Sequence, residues 1–185
     1  MLHRVGEFEK VSFEQFYNAM KDDFYEKLAK NLGNSDENGF REFIKDMYDT
    51  IKLPMRSTSG SAGNDFKAPF TFFLDPGMTI KIPTGIRVKI DEGWWLACLP
   101  RSGHGFKYRI QLDNTMGVID SDYYYSDNEG HIFAKITNDS KEGKTIRIEA
   151  GDGFLQAIFI PYGVTYSDNV SDKRNGGMGS TDMKK

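Results

Sequence analysis

The chain has 185 residues, 38% apolar and 14% aromatic, with 28% charged residues and a formal net charge of -3. That is one domain, or a domain with an appendage, with enough apolar material for a real core; a pI near 5.7 argues against a general nucleic-acid binder, which carries a basic excess. No apolar run reaches the roughly 20 residues that span a bilayer, and a single cysteine, Cys98, excludes an internal disulfide framework.

The start, Met1 to Glu9, lacks the apolar segment of a secretion signal, so a cytoplasmic protein is expected, with no membrane and no nucleic acid polymer as partner. Residues 1 to 50 read as helical and separate from the rest. Ser12-Phe13-Glu14-Gln15 has the form of a capping box, the serine capping and Gln15 reaching back. Phe13, Phe16, Tyr17, Met20, Phe24 and Leu28 recur at helical spacing, and Gly33 is placed to end the helix. A second helix is expected from about Asp36, with Phe40, Phe43, Ile44, Met47, Tyr48 and Ile51 on one face and Pro54 beyond its end. Together they make a helical hairpin extension over residues 1–51. Its apolar face must pack on the body of the protein or on another subunit. Plain packing is the favoured reading and partner binding the alternative.

From about Met55 the composition changes to a polar, turn-rich stretch and then to strands. These are expected at Phe70–Leu74, Thr79–Ile82, Gly85–Ile90, Trp94–Leu99, Arg109–Leu112, His131–Thr137, Thr145–Ile148 and Phe154–Pro161. Turn signals such as Asp75-Pro76-Gly77 and Glu142-Gly143 separate them at the spacing of an all-β barrel or sandwich. No βαβ alternation appears, which excludes a Rossmann or P-loop reading. Cys98, inside an apolar run, reads as a small buried hydrophobe. The segment from Asp168 to Lys185 is polar and glycine-rich and reads as a flexible C-terminal arm.

Five segments of the β region hold side chains suited to phosphate and nucleoside chemistry, though most could equally be ordinary turns if taken alone. Ala62-Gly63-Asn64-Asp65 places an aspartate at a strand start. Pro100-Arg101-Ser102-Gly103 combines a fork of donors, a hydroxyl and a glycine that lets backbone approach an anion. Asp113-Asn114, between apolar runs, reads as a hairpin turn ahead of Gly117-Val118-Ile119-Asp120-Ser121-Asp122-Tyr123. In an extended chain Asp120 and Asp122 project to one side, where a carboxylate can orient a water and accept its proton. Gly151-Asp152-Gly153-Phe154-Leu155-Gln156 is an acidic turn entering a strand. Arg174-Asn175-Gly176-Gly177-Met178-Gly179-Ser180-Thr181 offers backbone N–H groups, hydroxyls and an arginine, without the lysine of a P-loop. His3, His104 and His131 lack zinc spacing.

In this order, the five segments resemble the motifs of the trimeric dUTP diphosphatase (dUTPase) family over about residues 52 to 182. The resemblance implies a mainly β fold, a jelly-roll-like β-barrel over 52–167, assembling as a homotrimer with sites shared between subunits. It implies hydrolysis of dUTP to dUMP and pyrophosphate, with Mg²⁺ as cofactor. Asp120 would hold the nucleophilic water, and Asp65 would organise the water shell of the metal. Arg101, Ser102, Gly103 and Gln156 would lie on the phosphates, and Asn114 would read uracil. Gly117, Val118, Ile119 and Phe133 would line the pocket, and Tyr123 would pack on deoxyribose, leaving no space for a 2′-hydroxyl. Arg174, Met178, Gly179 and Ser180 of the arm would close over the nucleotide.

Three departures stand out. Six residues, Tyr124 to Glu129, stand between the motif tyrosine and Gly130 where the family has one, an insertion of about five that offsets the register of Phe133. Gly153 replaces the usual basic residue, and Met178 replaces the aromatic that stacks on uracil. The rival readings are a related dCTP deaminase and a regulatory, protein-binding module on the same fold.

Overall fold

The computed structural model describes residues 3–32, 37–172 and 174. Gly33, Met178, Gly179, Ser180 and the side chain of Leu28 lie outside the described residues. The chain opens with strand β1 (Gly6–Lys10) and helices α1 (Phe13–Leu32) and α2 (Glu37–Thr50). Strands β2 (Met55–Arg56), β3 (Asn64–Lys67), β4 (Phe72–Leu74), β5 (Thr79–Pro83), β6 (Ile86–Ile90) and β7 (Trp94–Pro100) follow. A short helix α3 (Ser102–Tyr108) leads to β8 (Ile110–Leu112), β9 (Gly117–Ile119) and a 3-10 turn at Ser121–Tyr125. The last strands are β10 (Phe133–Asn138), β11 (Ile146–Ile148) and β12 (Gly153–Pro161).

The architecture is mainly β and jelly-roll-like, built from antiparallel pairings. The largest sheet runs β2-β3-β12-β7-β9, with smaller sheets β5-β10-β8, β11-β4 and β1-β6. β7 and β12 form its spine, in register from Leu155 opposite Pro100 to Pro161 opposite Trp94. Both run apolar over several residues because the middle of this sheet is covered, so Leu96, Ala97, Cys98, Phe154, Leu155 and Ala157 are all buried. β10 and β6 alternate instead, turning Ala134, Ile136, Ile86 and Val88 inward. No described helix is long and apolar enough to cross a membrane.

The two front helices form where their spacing places them. Phe16, Tyr17 and Met20 of α1 meet Phe40, Ile44 and Met47 of α2 in a second buried cluster. Phe43, expected on the same apolar face, stands 40% exposed at its edge. The hairpin also packs on the β body at Gly85. A Cβ there would lie 2.5 Å from Ile51 Cδ1, and its φ of +71° is one that glycine adopts without strain.

Residues 1–50 are not purely helical. Gly6–Lys10 pairs antiparallel with β6, Phe8 opposite Val88, and the Phe8 ring meets Phe66 edge-on at 5.7 Å. With Phe8 as its one apolar residue, this strand has no pattern of its own and is defined by its partner. The capping box forms by half. Gln15 N donates to Ser12 Oγ at 3.1 Å, but Ser12 N donates to the Glu129 carboxylate at 2.7 Å, while the Gln15 amide lies by His131. A charged acceptor from a distant loop takes the place of the local glutamine. The turn at Arg101-Ser102 continues into α3, ended by Arg109 in the left-handed region at φ 50°. The Asp113-Asn114 turn does form, but its flanking strands pair elsewhere, β8 with β10 and β9 with β7.

Candidate active site

The expected site residues fall into two groups. One lies around β9. Thr115 N donates to Leu112 O at 2.8 Å and Met116 N to Asn114 O at 2.7 Å, closing the loop tightly. Asp113 ties this loop to β10 through the Thr137 hydroxyl and, at 2.9 Å, the Lys135 ammonium. The hydroxyl, with Lys135 behind it, holds the Asp113 carboxyl below its usual range. Gly117 then lies flat on β7, where a Cβ would sit 3.0 Å from Cys98 Cβ.

These elements bound a slot lined by the expected Asn114, Gly117, Val118, Ile119, Tyr123, Phe133 and Arg174. Phe133 keeps its place despite the longer preceding loop, because β10 is locked on β5 with Phe133 opposite Pro83. Cys98, Leu112 and Leu155 complete the wall. Sequence reading placed these three in strands without assigning them to a site. The register of β7 against β9, Cys98 opposite Gly117, is what turns Cys98 toward it. Burial pushes the Cys98 thiol up to about 12, so it serves as a hydrophobic wall and not as a nucleophile.

Tyr123 is 4% exposed. Its hydroxyl donates to His131 O at 2.8 Å and accepts from Asn128 Nδ2 at 2.8 Å. Burial raises the phenol above its ordinary pKa, which keeps that donor in place. The carboxylates of Asp120 and Asp122 converge by a different route from the one the sequence suggests. Strand β9 stops at Ile119, Asp120 precedes the 3-10 turn without a side-chain cap bond to it, and the Asp120 and Asp122 side chains both meet the Arg174 guanidinium. Nε donates to Asp122 Oδ1 at 2.9 Å while the other arm of the fork binds Asp120. Arg174 also lies over the Tyr123 ring, 5.8 Å from its centre.

The second group sits at the start of α3. Arg101 pairs with Asp65 at 3.2 Å and donates to Gly153 O at 3.0 Å. Ser57 Oγ donates to Asp65 at 2.8 Å. Gln156, opposite both Asp65 and Leu99, donates to Pro100 O at 3.1 Å and so braces the turn from behind. Ser102 and Gly103 are exposed on the first turn of α3. Among the described residues no three His, Cys, Asp or Glu side chains gather as a metal cage.

The slot reaches along β7 as far as Leu155, opposite Pro100, but Asp120 and Arg101 themselves lie at opposite ends of that strand. Leu96 is opposite Ile119, so Asp120 comes level with Trp95, six residues before Arg101. At roughly 3.3 Å per residue this is about 20 Å along the strand. One chain therefore does not bring Asp120 and Arg101 to a common point.

An apolar slot with a tyrosine floor, a carboxylate pair and an arginine–serine turn, on a jelly-roll-like body, is the equipment of a nucleotide-handling β protein. The dUTPase family profile matches residues 49–182. The chain is 39% identical over 146 residues to the deoxyuridine 5′-triphosphate nucleotidohydrolase of Lactococcus lactis, covering 77% of this chain and 96% of that one. The crystal structure of dUTPase from Streptococcus mutans superposes with a TM-score of 0.54 at 36% identity, over 61% of this chain and 88% of that one. A point-mutant dUTPase from phage phi11 of S. aureus, described with a structural Mg(II) ion, shares the fold at 23% identity. Its TM-score is 0.53, over 66% of this chain and 91% of that one. The chain belongs to the dUTPase family.

Proposed function

We propose that the protein hydrolyses dUTP to dUMP and pyrophosphate, with water attacking the α-phosphorus in line. The observation that carries this reading is the position of Asp120, at the end of β9 beside a slot lined by Asn114, Ile119 and Tyr123. The Asn114 loop suits uracil, since its tight closure leaves little room for a 5-methyl group. Tyr123, buried and fixed at its hydroxyl, suits the face of a deoxyribose.

Asp120 orients a water and accepts its proton as the new P–O bond forms. The bond from the α-phosphorus to the bridging oxygen breaks, and pyrophosphate leaves with that oxygen. Arg174 rests on the carboxylate pair until phosphate oxygens compete for it. Arg101, Ser102, Gly103 and Gln156 belong to the phosphate chain, and Met178, Gly179 and Ser180 to the closing arm, which excludes bulk water.

The separation of about 20 Å between Asp120 and Arg101 along β7 exceeds what one arginine and one aspartate can span to reach a single phosphate chain. It supports a homotrimer in which neighbouring copies complete each site. Asp65 already receives Arg101 and Ser57, so it suits an ion held by triphosphate oxygens and water better than a directly bound one. Mg²⁺ so placed would neutralise phosphate charge. A cytoplasmic setting, with a 1–51 extension, a 52–167 body and a 168–185 arm, belongs to the same reading.

The test measures pyrophosphate and ammonia from dUTP, dCTP and UTP, with sedimentation of the enzyme. Pyrophosphate from dUTP alone and a trimeric mass are expected. Ammonia from dCTP would instead make the protein a deaminase, and no product from any of them a binding module.

A further inference from the structure

The residues between Tyr123 and His131 are longer than the family pattern, and the structure gives each end of this insert a specific partner in the first twelve residues of the chain. At one end Tyr124 donates its hydroxyl to Glu9 Oε2 at 2.9 Å. The same oxygen accepts from Arg87 Nε at 3.1 Å and from its terminal nitrogen at 2.7 Å, and the Arg87 guanidinium lies 4.4 Å from the Tyr124 ring centre. At the other end Glu129 takes both the backbone N–H and the hydroxyl of Ser12. The insert is folded tightly on the tyrosine between these anchors. Ser126 N donates to Tyr123 O at 3.0 Å, and a Cβ on Gly130 would lie 2.7 Å from Tyr124 Cα.

Between the anchors, Asn128 reaches the Tyr123 hydroxyl from behind the slot. The hydroxyl is already committed as a donor to His131 O, so Asn128 must present its N–H₂, and its Oδ1 is left buried without a hydrogen-bond partner. The tyrosine thus dictates how the amide is turned. Two bonds at the hydroxyl tip leave the ring no hinge about which to tilt away from the slot.

We infer that Asn128 is a positioning residue for sugar discrimination: it pins Tyr123 against the slot, and the strand β1 and α1 cap hold Asn128 in place. The inference rests on the reading of Tyr123 as the surface that meets deoxyribose. It gives the insert and the N-terminal segment one shared role, as the backing of a wall that rejects ribose.

The test compares kcat and KM for dUTP and UTP in the full-length wild type, Asn128→Ala and Tyr124→Phe, with melting temperatures alongside. Asn128→Ala is expected to lower the dUTP-over-UTP ratio of kcat/KM about fivefold, matching one hydrogen bond of about 1 kcal/mol. The change should lie in KM for UTP, which falls as the loosened ring admits a 2′-hydroxyl, with kcat for dUTP close to wild type, since Asp120 is untouched. Tyr124→Phe loosens the remote anchor only and should move the ratio the same way by less, which keeps the test open if Asn128→Ala does not fold. A merely structural insert would lower the melting temperature and leave the ratio unmoved, overturning the inference. A wild type that hydrolyses dUTP and UTP alike overturns the sugar reading with it, and one that releases no pyrophosphate overturns the proposed function as well.

Discussion

Arg101 occupies the space that a side chain at Gly153 would fill: a Cβ there would lie 2.6 Å from the guanidinium, which instead donates to Gly153 O at 3.0 Å. The residue that departs from the family's basic pattern is therefore the one that makes room for Arg101. Gly153→Ala should push Arg101 off both this carbonyl and Asp65. A guanidinium no longer held in this position predicts a fall of about fivefold in kcat/KM for dUTP, through KM. Steady-state pyrophosphate release measures it, and an unchanged value would detach Arg101 from the substrate.

Asp120→Asn keeps the shape of the side chain and removes its capacity to accept a proton. Turnover of dUTP is expected to fall by about 10²–10⁴-fold. Binding of a non-hydrolysable dUTP analogue, measured by calorimetry, should persist, because the slot lined by Tyr123 and Ile119 is intact. Normal turnover would assign the water to another group.

His131 is fully buried, and Gly85 N donates to its Nε2 at 2.9 Å, so the neutral ring carries its proton on Nδ1. Burial, with Lys81 nearby, depresses its pKa from 6.5 to about 3. Above pH 6.5 folded and unfolded chains both hold it neutral, and its contribution to stability is complete. As the pH falls from 6.5 toward 3 the unfolded chain gains a proton that the folded chain refuses. Stability should then drop by up to about 1.4 kcal/mol per pH unit. Urea midpoints between about pH 7.5 and 5 measure the slope, and His131→Gln should flatten it.

Gly85→Ala meets both a strained φ of +71° and a Cβ position 2.5 Å from Ile51 Cδ1. The Ile51 side chain, and the Phe16 ring at 3.2 Å, must give way to accommodate it. A destabilisation of about 2–4 kcal/mol is expected from strain and overpacking together. In a chain of this size that lowers the melting temperature by roughly 5–10 °C. Calorimetry of the full chain would show it, and a wild-type melting curve would mean that the hairpin does not bear on Gly85.

Local patterns were enough to locate most of the molecule. The spacing of Phe16, Met20, Phe40 and Ile44 defined two helices, because burial of one face repeats every three to four residues wherever the helix lies. Asn114, Gly117, Ile119, Tyr123 and Phe133 were assigned to one pocket through the resemblance of their motifs, and the Asn114 loop, β9, the 3-10 turn and β10 together line one slot with them. Strand β1, the fate of the Ser12 cap and the use of Gly153 were not legible. Their partners, Val88, Glu129 and Arg101, are 52 to 117 residues away in the chain, and hydrogen-bond donors leave no periodic trace of whom they will meet. The convergence of Asp120 and Asp122 was legible in outcome and not in route, since a 3-10 turn held by Arg174, and not an extended strand, brings them together. Residue types and their order determined the family and its chemistry. Tertiary structure alone decided what stands behind Tyr123, because that depends on which distant backbone and carboxylate groups the fold leaves facing one short insert.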